Sequence, residues 1–282
     1  MSIRGDSDND NGRDRKEGVT KATAVPKSHC MTVCIVPPTT EGGGIVAWER
    51  LTKARTELKD PGLFRWPPHI NLLYPFVDIS NTPLSVSDGD GDDDVAAADN
   101  DDTAADRDNV SNNERSILEK LTCALEKCKP FHISLQHLGT FGGKHRGVLY
   151  MYPNSSWGEE EEKEDHPRDG AVVKEPLVQL QSTLQEELPE FPDQLKNGKF
   201  TPHITLSHFP SLEDALEAQV QIESWWKALN FQVKEVHVLK RVGDDGQFKI
   251  LCTLPLGKTH RLTTTPHDEL KEIREPVGCS VR

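Results

Sequence analysis

Two short segments, His69-Ile70-Asn71 and His203-Ile204-Thr205, each place an imidazole two residues before a neutral hydrogen-bonding side chain. Proline precedes each (Pro68, Pro202) and leucine follows (Leu72, Leu206). In an extended strand, residues i and i+2 point to the same face. His69 then shares a face with Asn71, and His203 with Thr205, while Ile70 and Ile204 turn toward a core. Two imidazoles and two neutral donors suit the opening of a phosphodiester, above all a strained cyclic one. A neutral imidazole takes a proton from water; the other, protonated, gives one to the departing ribose oxygen. The ordinary histidine pKa of about 6.5 makes both roles available near neutrality. The Thr205 hydroxyl and the Asn71 amide would donate to the non-bridging oxygens as negative charge builds. This chemistry requires no metal and no other cofactor.

The elements that must position these residues follow from periodicity. A first strand over 29–38 ends at Pro37-Pro38. A helix over 46–59 spaces Val46, Leu51, Ala54 and Leu58 and stops at Asp60-Pro61-Gly62. The first motif strand follows. A helix over 114–128 puts Ile117, Leu118, Leu121, Leu125 and Cys128 on one stripe. Strands over 131–141 and 146–153 meet at Gly142-Gly143. The series then starts again: a helix over 173–188, the second motif strand, and a helix over 211–229 with Ser211 and Asp214 as a capping box. Strands over 231–242 and 246–256 close it through Gly243-Asp244-Asp245-Gly246, a hairpin signal. Both halves therefore run helix, strand, helix, strand, strand. From His69 to Phe131 is 62 residues and from His203 to Phe231 is 28, which fits an insertion in the first copy.

That insertion is acidic. Residues 88–108 hold ten Asp against one Arg, and 159–165 add a further −5, which together account for the whole formal charge of −13. A hydrophobic fraction of 35% is low for a fully packed chain of 282 residues. The expected organisation is a disordered tail over 1–27, one domain over 28–258 with disordered acidic insertions at about 80–112 and 155–170, and a tail over 259–282. The folded remainder is near neutral, so global charge does not argue against a phosphate ligand. No apolar run reaches membrane-spanning length, and the N-terminus lacks a secretory apolar core. An intracellular protein, cytoplasmic or nuclear, is the expectation. The six cysteines show no CxxC spacing and read as reduced thiols.

Paired H-x-[T/N] strands in a duplicated α+β chain resemble the 2H phosphoesterase superfamily. That superfamily includes RNA 2′,3′-cyclic phosphodiesterases, long called 2′-5′ RNA ligases, and nucleotide cyclic phosphodiesterases. The resemblance runs from about Cys30 to Gly257 and includes the closing hairpin. It implies a duplicated two-lobed fold, with antiparallel sheets lining a central cleft and helices outside. It implies His69 and His203 as the catalytic acid/base pair, with Asn71 and Thr205 as phosphate contacts. Asn71 stands where the family usually has Thr or Ser. The implied activity is metal-independent hydrolysis of 2′,3′-cyclic or 2′-5′ phosphodiesters in an RNA 3′ end or a small nucleotide, by a monomer. The alternatives are a nucleotide- or RNA-end-binding module without turnover, and 2′-5′ ligation.

Strand parity sorts the remaining side chains. Ser207 and Phe209 fall on the His203 face and are candidate substrate contacts, as is Tyr150 on a neighbouring strand, which shares its face with Tyr152. Tyr74 and Phe76 fall on the Ile70 face and are expected in the core. Trp225 and Trp226 lie on the last helix, at least one of them in the core. Arg65, Lys199 and Arg241 are the basic residues nearest the motifs. His132 and Ser134 form a third H-x-S, but aligning Phe131 with Phe231 leaves His132 without a symmetric partner; His137 and His237 align as a paired structural position. The other histidines, His208 among them, lie in loops or off the motif face.

Overall fold

The structure, a computed structural model, describes residues 26–39, 42–79, 117–158, 175–196, 198–257 and 263–264. Most of both expected tails and nearly all of both acidic insertions lie outside the described residues; within the expected C-terminal tail, Thr263 and Thr264 pair with Thr253 and Cys252, extending a sheet beyond the expected domain boundary.

Among the described residues four α-helices form: α1 (Gly42–Glu57), α2 (117–126), α3 (Pro176–Glu187) and α4 (Leu212–Glu223). The whole apolar stripe expected of α2 is buried. Helix α1 instead buries Ala47, Trp48, Leu51, Ala54 and Arg55, leaving Val46 exposed. Pro176 opens α3 at its first turn, where a missing N–H is harmless. Ser211 caps α4 through the Asp214 amide at 3.1 Å, as its spacing predicts. The helix ends at Glu223, so Trp225 and Trp226 follow it; both are half-buried, and Trp226 Nε1 donates to Leu135 O at 3.1 Å.

The described residues form eleven strands, all paired antiparallel. They are β1 (Met31–Ile35), β2 (Ile70–Leu73), β3 (Phe131–Gly143), β4 (Arg146–Ser156), β5 (Leu195–Lys196), β6 (Lys199–Phe200), β7 (Ile204–Phe209), β8 (Leu229–Val233), β9 (Glu235–Arg241), β10 (Phe248–Pro255) and β11 (Thr263–Thr264). One sheet runs β11-β10-β9-β1-β2, the other β7-β4-β3-β8, and β5-β6 is a separate short pair.

The sheets are not the two sequence halves. The first motif strand, β2, joins a sheet completed by the closing hairpin β9-β10; the second, β7, joins the hairpin β3-β4 from the first half. The segment expected as one strand over 231–242 breaks at exposed Lys234, so that β8 pairs with β3 and β9 with β1. Each motif strand is an edge strand of its sheet, which leaves its cleft-facing side chains reachable. A single core runs through both sheets and the helices, and Cys34, Val36, Trp48, Leu239 and Phe248 form a smaller cluster. Among the described residues no helix is long and apolar enough to cross a membrane.

Candidate active site

His69 and His203 stand immediately before β2 and β7 and are held in the same way. His69 Nδ1 lies 2.8 Å from Pro67 O, and His203 Nδ1 lies 2.9 Å from Thr201 O. A carbonyl oxygen only accepts, so Nδ1 carries the hydrogen in both rings and the basic lone pair of the neutral ring sits on Nε2. Proline at 68 and at 202 restricts the residue before it to extended backbone, the same conformation at both carbonyls. The two motif segments thus repeat in detail as well as in letters.

Both histidines line one cavity of about 470 Å³, together with Asn71 and Thr205. That volume lies in the range of small-ligand sites, about 300–1,000 Å³. Of the basic residues near the motifs, Lys199 lines it; Arg65 pairs with Asp245 at 3.7 Å, and Arg241 lies over the Phe248 ring.

Parity past the motif is overturned by a β-bulge in each motif strand. Val33 and Cys34 face Leu73 and Asn71, and Leu149 and Tyr150 face Ser207 and Thr205. Leu72 and Leu206 are the extra residues, each three places after its histidine. A bulge moves every later side chain to the opposite face. Tyr74 and His208, expected off the site, therefore line the cleft. Ser207 turns inward, 1% exposed, with its hydroxyl unpartnered among the described residues. Phe209 packs half-buried on the core. Neither Ser207 nor Phe209 is among the cleft-lining residues. Phe76, expected in the core, is fully buried there, but it lies beyond the end of β2, where strand parity no longer applies.

Aromatic rings hold both imidazoles. Trp66 stacks on His69 (centroids 4.5 Å apart, planes 14° apart) and, on its other face, on Phe248 at 3.7 Å. Phe141 and Tyr150 stack on each other at 4.1 Å and meet the His203 ring nearly at right angles, at 5.3 and 5.7 Å. Phe141 lines the cavity, whereas Tyr150 reaches His203 from beside it. Tyr150 can lie there because residue 139 is glycine: a Cβ would fall 2.5 Å from its Cζ. Gly139→Ala should displace the Tyr150 ring and lower kcat/KM by up to about 10²-fold with the fold retained. Steady-state kinetics alongside a thermal melt will test this, and unchanged kinetics would remove Tyr150 from the support of His203.

Of the other histidines singled out, His237 is buried with Nδ1 3.1 Å from Thr253 Oγ1, and His137 is exposed. Their alignment does not correspond to a shared environment. His132, on β3, is not among the cleft-lining residues.

The electrostatic setting of His69 is unusual. Burial pushes the His69 imidazole down to about 4; the Pro67 carbonyl opposes this, and Arg55 and His203 repel its proton further. Arg55 is 3% exposed and clamped to Asp60, Nε to Oδ2 at 2.8 Å, while its Nη1 donates to Trp66 O at 2.8 Å. Burial also lowers His208, with Asp60 opposing and Arg146 and Arg55 reinforcing the shift. Arg146 and Lys199 line the cavity without an ion-pair partner among the described residues. A cleft with uncompensated positive charge, in a chain of net charge −13, is arranged for an anion.

Thr32, Arg55, Asp60, Trp66, Tyr74, Phe141, Arg146 and His208 shape this site without having been singled out for it by sequence. Trp66 and Tyr74 adjoin the first motif, and His208 follows the second, so nearness along the chain was an available signal for those three. Arg55 and Asp60 carry none, because they read as an ordinary helix end.

Among solved structures, E. coli LigT complexed with 3′-AMP matches at 15% identity, covering 83% of this chain and 98% of that one, with a TM-score of 0.37. A structure described as a phosphoesterase matches at 14% identity over 82% and 99%, also with a TM-score of 0.37. E. coli LigT complexed with NADP+ matches at 14% identity over 83% and 100%, with a TM-score of 0.37. No curated protein matches the chain. The family model of the 2′-5′ RNA ligase superfamily covers residues 45–245, which includes both motifs, both bulges and the cleft between them. The chain belongs to the 2′-5′ RNA ligase superfamily.

Proposed function

We propose that the cleft hydrolyses a 2′,3′-cyclic or 2′-5′ phosphodiester in an RNA end or a small nucleotide, with His69 as general base and His203 as general acid. The observation that carries this reading is the repeated Nδ1-to-carbonyl bond, which presents two equivalent imidazoles to one cavity with a neutral donor beside each. The assignment of roles follows from surroundings. His69 is held neutral by burial and by neighbouring positive charge, the state a base must start in.

In the step, His69 Nε2 takes a proton from water as the water oxygen bonds to phosphorus. The ester bond to the ribose oxygen breaks, and His203 delivers a proton to that oxygen. The products are a phosphomonoester and a hydroxyl. Asn71 and Thr205 donate to the non-bridging oxygens, where charge accumulates. Arg146 and Lys199 favour an anionic substrate in the cleft.

The test is a product-resolved assay with 2′,3′-cyclic nucleotides, 2′-5′-linked dinucleotides and oligonucleotides ending in a cyclic phosphate, run with and without chelator. Hydrolysis that survives chelator is expected. A second reading, nucleotide binding without turnover, is favoured by Asn71, which lacks the hydroxyl present at Thr205. Saturable binding of these ligands with no product from any of them would replace the first reading with the second. Joining of ends in the same assay would establish ligation, the alternative outcome for this chemistry.

A further inference from the structure

Asn71 and Thr205 occupy matching places in the two motif strands, yet they are different donors. A threonine hydroxyl rotates and can turn its one proton to a phosphate oxygen. An asparagine amide is two-sided: Nδ2 donates and Oδ1 only accepts. With Oδ1 toward the cleft it would repel a phosphate oxygen, so its usefulness depends on which way it is held.

Thr32 supplies that choice. It is fully buried on β1, and its hydroxyl lies 2.7 Å from Asn71 Oδ1, closer than its contact with Leu73 O at 3.2 Å. Two facing oxygens need a proton between them, and only the threonine has one. Oδ1 is thereby turned to β1, and Nδ2 becomes the group that remains for the cleft.

The other half of the molecule is an internal comparison. The matching bulges set Val33 and Cys34 equivalent to Leu149 and Tyr150, so Thr32 corresponds to Val148. In the half that carries Thr205, the position corresponding to Thr32 holds a valine, with nothing to donate. In the half that carries Asn71, it holds a threonine bonded to the motif residue.

We propose that Thr32 is a positioning residue for phosphate binding: it locks the Asn71 amide with Nδ2–H toward the phosphate, so that Asn71 does the work of a motif threonine. The proposal rests on the reading of the cleft as a phosphodiester site.

Thr32→Val removes the proton and keeps the volume. On a 2′,3′-cyclic nucleotide, kcat should fall about tenfold, a fraction of the roughly 10²–10³ lost with a whole oxyanion donor. Thr32→Ser should stay near wild type. In an N71T background Thr32→Val should cost less than about twofold, because a hydroxyl needs no orienting partner, and in an N71A background it should cost nothing further. A purely structural role would lower the melting temperature and persist in both backgrounds. Full activity of the Thr32→Val variant, or an equal loss in all three backgrounds, overturns the proposal and leaves the hydrolytic reading standing. Absence of wild-type turnover on every substrate sinks the hydrolytic reading instead. The same series is then read by calorimetric titration with 3′-AMP: weaker binding confined to chains that keep Asn71 supports the positioning role, and no dependence on Thr32, or no binding by wild type, overturns it.

Discussion

Alanine at His69 or at His203 is expected to lower kcat/KM on a 2′,3′-cyclic phosphate by about 10³-fold, within the roughly 10²–10⁴ that one proton-transferring group supplies. The double variant should be little worse than either single one, because the base and the acid act on one transition state. The pH dependence separates the two. His69 must be neutral to act, and its imidazole is pushed down to about 4, so wild-type kcat/KM should be lost only as the pH falls through about 4. The basic limb belongs to His203, which must hold a proton to give. His69→Ala should abolish the acidic limb, and His203→Ala the basic one. Linkage adds an independent readout. Between about pH 6.5 and 4 the unfolded chain binds a proton at His69 that the folded chain refuses. This group's contribution to stability is therefore complete above 6.5 and declines as the pH drops through that window. His69→Ala should flatten that part of the stability profile. Melting curves and pH–rate profiles of the purified variants check both effects, and near-wild-type rates for both single variants would end the acid/base assignment.

Arg55→Met should strongly destabilise the fold. It removes the cation from Asp60 and leaves that carboxylate, 7% exposed, with the Gly62 amide 3.1 Å from Oδ1 as its one hydrogen-bond partner among the described residues. Breaking a buried pair from one side typically costs about 3–5 kcal/mol. For a domain of this size that corresponds to a fall in melting temperature of roughly 10 °C. Replacing both partners, R55M with D60L, should recover much of the loss, because the stranded charge is gone. The change should also reach the chemistry. Arg55 holds the Trp66 carbonyl at 2.8 Å, and Trp66 is the ring stacked on His69. Without Arg55 the proton on His69 meets less repulsion, so the acidic limb of the rate profile should move up from about 4. Thermal denaturation followed by circular dichroism, with a pH–rate profile of the surviving activity, tests both parts. An Arg55→Met chain as stable as wild type would show that the pair contributes nothing net to the fold.

What the sequence determined by itself was whatever depends on neighbours along the chain. The alternation in His69-Ile70-Asn71 and His203-Ile204-Thr205 placed both pairs on a common face, and both line the cleft. The α2 stripe and the Ser211 cap are likewise local, set by helical period and by one amide within reach. The repeat of the two halves was visible because each strand carries its own signature.

Parity failed three residues past each histidine. The bulges at Leu72 and Leu206 are set by pairing with β1 and β4, strands far away in sequence, and nothing in the letters of β2 or β7 announces an unpaired residue. That pairing carried Tyr74 and His208 into the cleft and Ser207 out of it. The hairpins are also exchanged between the halves: β9-β10 completes the sheet of β1 and β2, and β3-β4 lies in the sheet of β7. Arg55 and Thr32 show the same dependence. Each is an unremarkable polar letter until the partner that makes it matter, Asp60 with the Trp66 carbonyl in one case and Asn71 in the other, is brought within hydrogen-bonding distance by packing. Side-chain direction within a strand is a property of the backbone. The face it finally addresses is a property of register, and register exists only between strands.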